Sequence, residues 1–195
     1  MKEFRSLTAR AAVLDRSDVD TDQIIPKQFL KRIERTGYGQ FAFHDWRQDP
    51  DFELNRPRCQ DAKILLTGPN FGCGSSREHA VWALQDYGFE VVVAPSFGDI
   101  FFSNAVQTGL VPVTLPAADV KSLMRTAADG CEVTVDLETQ TIADSSGELF
   151  HFEMDPFVRH CLLNGLDAIA RTLQQESDIA AFEARAALPV ETTAL

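Results

Sequence analysis

The sequence predicts an α/β fold with a mixed sheet built round a parallel β-α-β-α-β core, and three observations carry that reading. Short apolar runs at residues 63–67 (KILLT), 89–94 (FEVVVA) and 110–115 (LVPVTL) alternate with two stretches of helical period. Glycines stand where those two helices should stop, at Gly88 and Gly109. The connections are too long for hairpins and suit the crossovers that parallel strands need.

The first helix is expected over about residues 80–87, because Ala80, Val81, Ala83, Leu84 and Tyr87 fall at i, i+3, i+4 and i+7. The second is expected over about 98–108. A third, over 117–130, ends at Gly130. Residues 132–137, 141–144 and 148–154 then alternate apolar and polar positions around Ser145-Ser146-Gly147, which predicts antiparallel hairpins. Asp155 followed by Pro156 is an N-cap with proline at the first helical position. It opens a helical tail over about 156–187, broken near Asn164-Gly165. Ahead of the core, residues 11–14 form a candidate strand, and residues 15–40 read as a long surface segment, acidic then basic. No linker rich in Pro, Gly or Ser divides the 195 residues, so a single domain is expected over 1–195.

A net charge of −11 argues against nucleic acid and against an anionic membrane surface, both of which need clustered Lys and Arg. The opening residues, MKEFRSLTARAAVL, lack the apolar core of a secretory signal, and a cytoplasmic location is expected. Cys59, Cys73, Cys131 and Cys161 form no C-x-x-C pair and no zinc or iron–sulfur spacing, so the chain is expected to bind no metal or cofactor of its own.

Two stretches carry candidate chemistry. Asp18, Asp20 and Asp22 imitate the start of a calcium loop, but Gln23 and Phe29 stand where glycine and glutamate are required. A turn whose carboxylates bond nearby backbone N–H groups is the better reading. The second stretch is residues 69–80, PNFGCGSSREHA. It is no dinucleotide loop, since Arg77 replaces the third glycine, and it is neither a Walker loop nor a hydrolase elbow. Ser75-x-x-Glu78 fits a capping box, which would make the serine and glutamate helix stabilisers. Arg77 fits that scheme badly, because a cation in the first helical turn opposes the macrodipole. It makes sense if helix-start N–H groups, two hydroxyls and a guanidinium converge on a carboxylate, with glycines admitting the ligand. His79 reads as a surface or packing residue, and Cys73 as a small residue whose thiol a helix start could acidify.

NFGCGSSREHA resembles the swivelling-domain signature of the aconitase family, and VDTDQIIPKQFL resembles the N-terminal signature of that family's free-standing small subunits. APSFGDIFFSNAVQTGLVPV and RHCLLNGLDAIARTL extend the likeness over nearly the full chain. The resemblance implies a three-layer β/β/α swivelling domain and a separate large subunit in a heterodimer or higher assembly. That subunit would carry a [4Fe-4S] cluster whose open iron binds substrate hydroxyl and carboxylate. The activity implied is that of a hydro-lyase of leucine biosynthesis, dehydrating 2-isopropylmalate to isopropylmaleate and rehydrating it to 3-isopropylmalate, and active only with its partner. By the same likeness Ser75 is the base that removes the C–H proton, while Ser76, Arg77 and Gly74 hold a substrate carboxylate. An oxygen spent on capping is not free as a base, so either ligand binding releases Ser75 or Ser76 shares the capping.

Family members use the stretch after the DTD turn to contact the group on the substrate's γ-carbon. Residues 26–38 are accordingly expected to be a recognition loop, mobile until the partner covers it. There Phe29, Leu30 and Ile33 would offer an apolar face, and Lys27, Arg32 and Arg35 would meet a carboxylate or the large subunit. Two alternatives stay open: a small subunit acting on methylmalate (citramalate), homoaconitate or dimethylmalate, and a non-catalytic anion-binding domain whose serines only cap.

Overall fold

The computed structural model describes residues 1–31, 36–128 and 130–186. Seven strands form one mixed sheet: β1 (Ser6–Leu14), β2 (Ile64–Thr67), β3 (Val91–Ala94), β4 (Val111–Thr114), β5 (Glu132–Asp136), β6 (Thr141–Ala143) and β7 (Leu149–His151), in the order β4-β3-β2-β1-β5-β6-β7. The helices are α1 (Thr21–Ile24), α2 (Glu78–Tyr87), α3 (Asp99–Thr108), α4 (Ala117–Ala127), α5 (Pro156–Leu163), α6 (Ala168–Leu173) and α7 (Glu176–Arg185).

β1 joins the two halves of the sheet. Its last four residues pair in parallel with β2, Ala11 opposite Ile64, while residues 6–10 pair antiparallel with β5, Thr8 opposite Thr134. The strand starts five residues before the expected one. Its first half is exposed on one face, so Ser6, Thr8 and Arg10 interrupt the apolar run that marks 11–14. β2, β3 and β4 continue in parallel through α2 and α3, and β5, β6 and β7 form the antiparallel meander. Pro112 is accommodated because β4 lies at the sheet edge.

Alternation along the strands divides the interior into two cores. Ala12, Leu14, Leu65, Val92 and Ala94 face α2 and α3, with Ala80, Val81, Leu84, Phe101 and Ala105 packed on them. Ile64, Leu66, Val91, Val93 and Val113 face the other way. They meet α4 through Val120 and Leu123, and the curled antiparallel half through Val133, Val135, Ile142 and Phe150. This is the β/β/α layering that the resemblance implies, with α2 and α3 as the helical layer.

Among the described residues of 15–40 the surface reading holds only in part, for Asp15, Asp18, Asp22 and Lys27 are exposed while others enter the core. Val19, Ile24, Ile25 and Tyr38 are fully buried, and Phe43, Phe52 and Leu54 continue the same core. The chain between β1 and β2 closes the outer side of α2 with short 3-10 turns, which have no amphipathic period long enough to read. Arg32, Ile33 and Arg35 lie outside the described residues, as does residue 187 at the end of the expected tail. That tail is three helices, α5, α6 and α7, and Asp155 caps α5 through the N–H groups of Phe157 and Val158. α5 stops at Leu163, where Asn164 and the left-handed Gly165 turn the chain.

Gly39 is the tightest point of this closure, since an added Cβ would sit 2.5 Å from the Asp86 backbone carbonyl of α2. Gly39→Ala is expected to destabilise the protein by about 2 kcal/mol or more. A denaturant midpoint unchanged from wild type would show that the turn at Gly39 moves freely off α2.

Candidate active site

Three loops leave the carboxyl ends of β1, β2 and β3 side by side. The chain after β2 runs alongside the acidic turn after β1: the Gly72 N–H donates to the Val19 carbonyl (2.8 Å) and the Thr21 N–H to the Cys73 carbonyl (2.9 Å). On its other flank the Phe71 N–H donates to the Ser96 carbonyl (3.1 Å) and the Gly98 N–H to the Phe71 carbonyl (2.9 Å). Residues 71–73 therefore form a central strand-like strap between two neighbours, and the loop to Arg77 continues from it.

The glycines serve that packing. Gly72 and Gly74 both have positive φ, +72° and +95°, which favours glycine. A Cβ on Gly72 would overlap the Phe101 ring, and one on Gly74 would overlap the Asp20 carboxylate. The side on which each glycine lacks a Cβ is filled by the protein's own Phe101 and Asp20.

The capping box at Ser75-x-x-Glu78 is not formed. α2 begins at Glu78, Arg77 occupies the N-cap position, and no side chain caps it. The strap holds the backbone away from helical geometry until residue 77, and the Arg77 N–H instead donates to the Ser75 carbonyl (2.8 Å). Ser75 is exposed, and its hydroxyl lies 3.3 Å from the Thr21 hydroxyl. Neither ligand-driven release nor capping by Ser76 is needed to free it. A capping box does occur one loop away: the Asp20 carboxylate accepts from the Asp22 N–H (2.7 Å) and Gln23 reaches back to the Asp20 N–H (2.9 Å).

Arg77 is paired with Asp22 through Nη1 and Oδ1. The Arg77 side chain is 21% exposed and that of Asp22 50%. The guanidinium that looks misplaced at a helix start thus meets an internal carboxylate from the acidic turn. Asp18 accepts from the Asn70 side chain (2.7 Å), a further link between the loops. The reading of the aspartates as local turn formers holds for Asp20 and misses these two cross-loop bonds. Thr21 and Asn70 are residues of the candidate site that sequence reasoning passed over, and Asp22 one that it read only as a turn carboxylate. The available signal was a pair of local anomalies, an acidic turn without a metal pattern and a cation against a helix dipole, each accounting for the other.

Gly74, Ser75, Ser76 and Arg77 share one loop, the first three exposed and Arg77 half-buried. The residues expected to form a recognition face, Lys27, Phe29 and Leu30 among those described, lie on the segment after α1. Lys27 is exposed, while Phe29 stacks on Phe41 (ring centroids 4.2 Å) and sets its edge against His44 (4.8 Å). Leu30 is half-buried against the first core, so part of the apolar face expected of these two residues is spent within the chain. The segment returns to the site at Tyr38, whose N–H donates to Asp86 (2.8 Å) and whose ring meets His79 edge-on (5.3 Å). His79 also packs on Trp82 at 4.7 Å, which makes it a packing residue as expected.

Burial and the nearby Asp20 and Asp18 carboxylates push the Cys73 thiol up, opposite to the acidification a helix start could give. The four cysteines are free thiols, Cys59 and Cys161 buried. Among the described residues no group of three or more His, Cys, Asp or Glu side chains could hold a metal ion, and no helix is long and apolar enough to cross a membrane. The cysteines do not fit a cluster.

Residues 1–118 match the aconitase C-terminal domain family, and residues 121–156 match a second family described as LeuD_N. The chain is 54% identical to the 3-isopropylmalate dehydratase small subunit of Bacillus subtilis, covering 95% of this chain and 96% of that protein. It is 56% identical to the protein of the same name from Rhodopirellula baltica, covering 94% and 98% respectively. The crystal structure of a Methanocaldococcus jannaschii 3-isopropylmalate dehydratase superposes with a TM-score of 0.69 at 28% identity, covering 91% of this chain and 99% of that one.

Burial pushes the His79 imidazole down from its ordinary range, aided by Arg77 and opposed by Glu78. A lowered folded-state pKa means the native state favours the neutral ring. The stability it contributes is complete above about pH 6.5 and is lost as pH falls below that. Between pH 7.5 and 5 the urea midpoint of wild type should therefore drop further than that of His79→Phe; parallel curves would remove His79 from the acid response.

Proposed function

The chain belongs to the aconitase C-terminal domain family, and from that premise we propose that it is the small subunit of a 3-isopropylmalate dehydratase, a hydro-lyase of leucine biosynthesis active with its large subunit. The reaction interconverts 2-isopropylmalate and 3-isopropylmalate through isopropylmaleate. The observation that supports a catalytic part for this chain is the exposed loop carrying an uncapped serine hydroxyl beside a fixed guanidinium.

The chemical demand on that loop is large. A C–H beside a carboxylate is a very weak acid, and removing its proton piles further negative charge on the carboxylate. Ser75 takes the proton, and its oxygen is available because it is not engaged at the helix start. Ser76 and Arg77 hold the carboxylate on which charge grows, with the Gly74 backbone alongside. Arg77 can do so while paired, because a guanidinium has five N–H donors and the bond to Asp22 engages only Nη1. A Lys could not hold both partners in one plane.

An exposed loop cannot exclude water by itself, and proton abstraction of this kind needs a dry, preorganised site. A large subunit would supply that cover, and a [4Fe-4S] cluster held there would supply Lewis-acid chemistry at the substrate hydroxyl. The cysteines of this chain, dispersed and free, support that division of labour. Lys27, Phe29 and Leu30 sit on the segment that reaches the site at Tyr38 and His79, which suits contact with the isopropyl side of the substrate or with the large subunit. Free thiols fit a cytoplasmic setting.

The test is co-expression with a cluster-bearing large subunit and an assay on 2-isopropylmalate. Ser75→Ala should lower kcat by about 10³-fold or more. Because the residue does not cap α2, stability should change by less than about 0.5 kcal/mol. Arg77→Lys should lower kcat/KM roughly 10- to 100-fold. Turnover of methylmalate, homoaconitate or dimethylmalate in place of 2-isopropylmalate would redirect the substrate, and full activity in Ser75→Ala would leave an anion-binding domain without chemistry.

A further inference from the structure

Thr21 is buried to 1% exposure, yet its hydroxyl reaches the exposed strap at Ser75 three times. The Ser75 N–H donates to Thr21 Oγ1 at 3.2 Å. Thr21 Oγ1 also lies 3.3 Å from the Ser75 carbonyl oxygen and 3.3 Å from Ser75 Oγ. A threonine hydroxyl has a single proton. With one lone pair committed to the Ser75 N–H, that proton can go to one of two acceptors at equal distance, both on the residue read as the base.

From this geometry we infer that Thr21 is the positioning residue of the proton-abstracting serine. Its hydroxyl donates to the Ser75 carbonyl while Ser75 is a neutral alcohol, and swings to Ser75 Oγ once that alcohol has given its own proton to bulk water and carries negative charge. The proton stays on Thr21 throughout; only its acceptor changes. A hydrogen bond to the charged form favours that form, so the switch stabilises the alkoxide that must accept the substrate proton. Burial makes the donor effective, because water does not compete for it as it does for Ser76. β-Branching holds the Thr21 rotamer, and its own N–H is anchored on the Cys73 carbonyl at 2.9 Å, so the hydroxyl is held fixed while the strap carries Ser75 to it. The charged groups around Ser75 are Asp20 and Asp22 on the neighbouring loop and Arg77 and Glu78 on its own. Asp20 and Asp22 oppose an alkoxide, which increases the need for a donor on that side.

This inference rests on Ser75 being the base, and the experiment separates the two. Thr21→Val, Thr21→Ser and Ser75→Ala are compared in the complex with the large subunit, reading kcat, KM and the pH dependence of kcat. Thr21→Val should lower kcat by about 10²-fold with KM within about three-fold of wild type, and move the rise of kcat to higher pH. Thr21→Ser, which keeps the donor, should return kcat to within about three-fold of wild type. Should the valine variant fail to assemble, Thr21→Ala gives the same readings without the added methyl contact. If neither assembles, Thr21→Ser decides: kcat retained supports the assignment, and kcat lowered more than about ten-fold overturns it. Wild-type kcat in Thr21→Val, or a loss confined to KM, overturns the role of Thr21 while an inactive Ser75→Ala leaves the base in place. An active Ser75→Ala overturns the base itself.

Discussion

The site depends on the lateral docking of two loops, residues 18–22 and 70–77, which come from different parts of the chain. Backbone hydrogen bonds at Val19–Gly72 and Thr21–Cys73 fix their register; the lack of a Cβ at Gly74 lets Asp20 close on the strap, and its lack at Gly72 admits Phe101 of α3. Once docked, the strap cannot turn helical before residue 78. That constraint delivers three results together: the serine oxygen is left uncapped, the arginine reaches Asp22, and Thr21 lies under Ser75. A side chain on Gly74 would separate the loops and lose all three.

The sheet makes this docking possible. The parallel half runs β4-β3-β2-β1 with α2 and α3 in the first core and α4 in the second, so the carboxyl ends of β1, β2 and β3 come out along one edge. Open α/β sheets hold ligands beyond those strand ends, commonly in a crevice where strand order reverses. Here the crossovers through α2 and α3 share one face, and the loops pack on each other instead of parting. The result is a ridge with Ser75 and Ser76 exposed on it. Such a ridge suits a subunit that completes another protein's cavity.

Elements with a long period were legible in the residues. α2 and α3 show a helical stripe ended by Gly88 and Gly109, and the buried strands are unbroken apolar runs. The site was half legible: Gly74, Ser75, Ser76 and Arg77 stand out as a group, but the start of α2 was misplaced because Ser75-x-x-Glu78 satisfies a local rule that the docked strap overrides. Local propensity yields to tertiary contact most often where a backbone is held by neighbours on both sides, as residues 71–73 are. Thr21 was invisible for a related reason. Its part is set by proximity to a residue 54 positions away, and nothing in the periodicity of either segment records that distance. The fold between β1 and β2 hid itself differently, since 3-10 turns bury Tyr38, Phe43 and Phe52 without a repeating pattern.

Charge explains why such a site would stay idle in the isolated chain. Across residues 18–22 and 70–78, Arg77 is the one cation, against Asp18, Asp20, Asp22 and Glu78. Its positive charge is already offset by Asp22, and the whole chain carries −11. A dicarboxylate approaching this ridge alone meets repulsion with little to offset it, at a surface where water screens what attraction remains. Under the proposed function the balance changes when a partner brings its own positive charge and removes the water, because the Arg77 and Thr21 donors then act at low dielectric on charge that appears only as the proton leaves. On that reading the acidic surround would keep anions off the exposed half-site until the other half arrives.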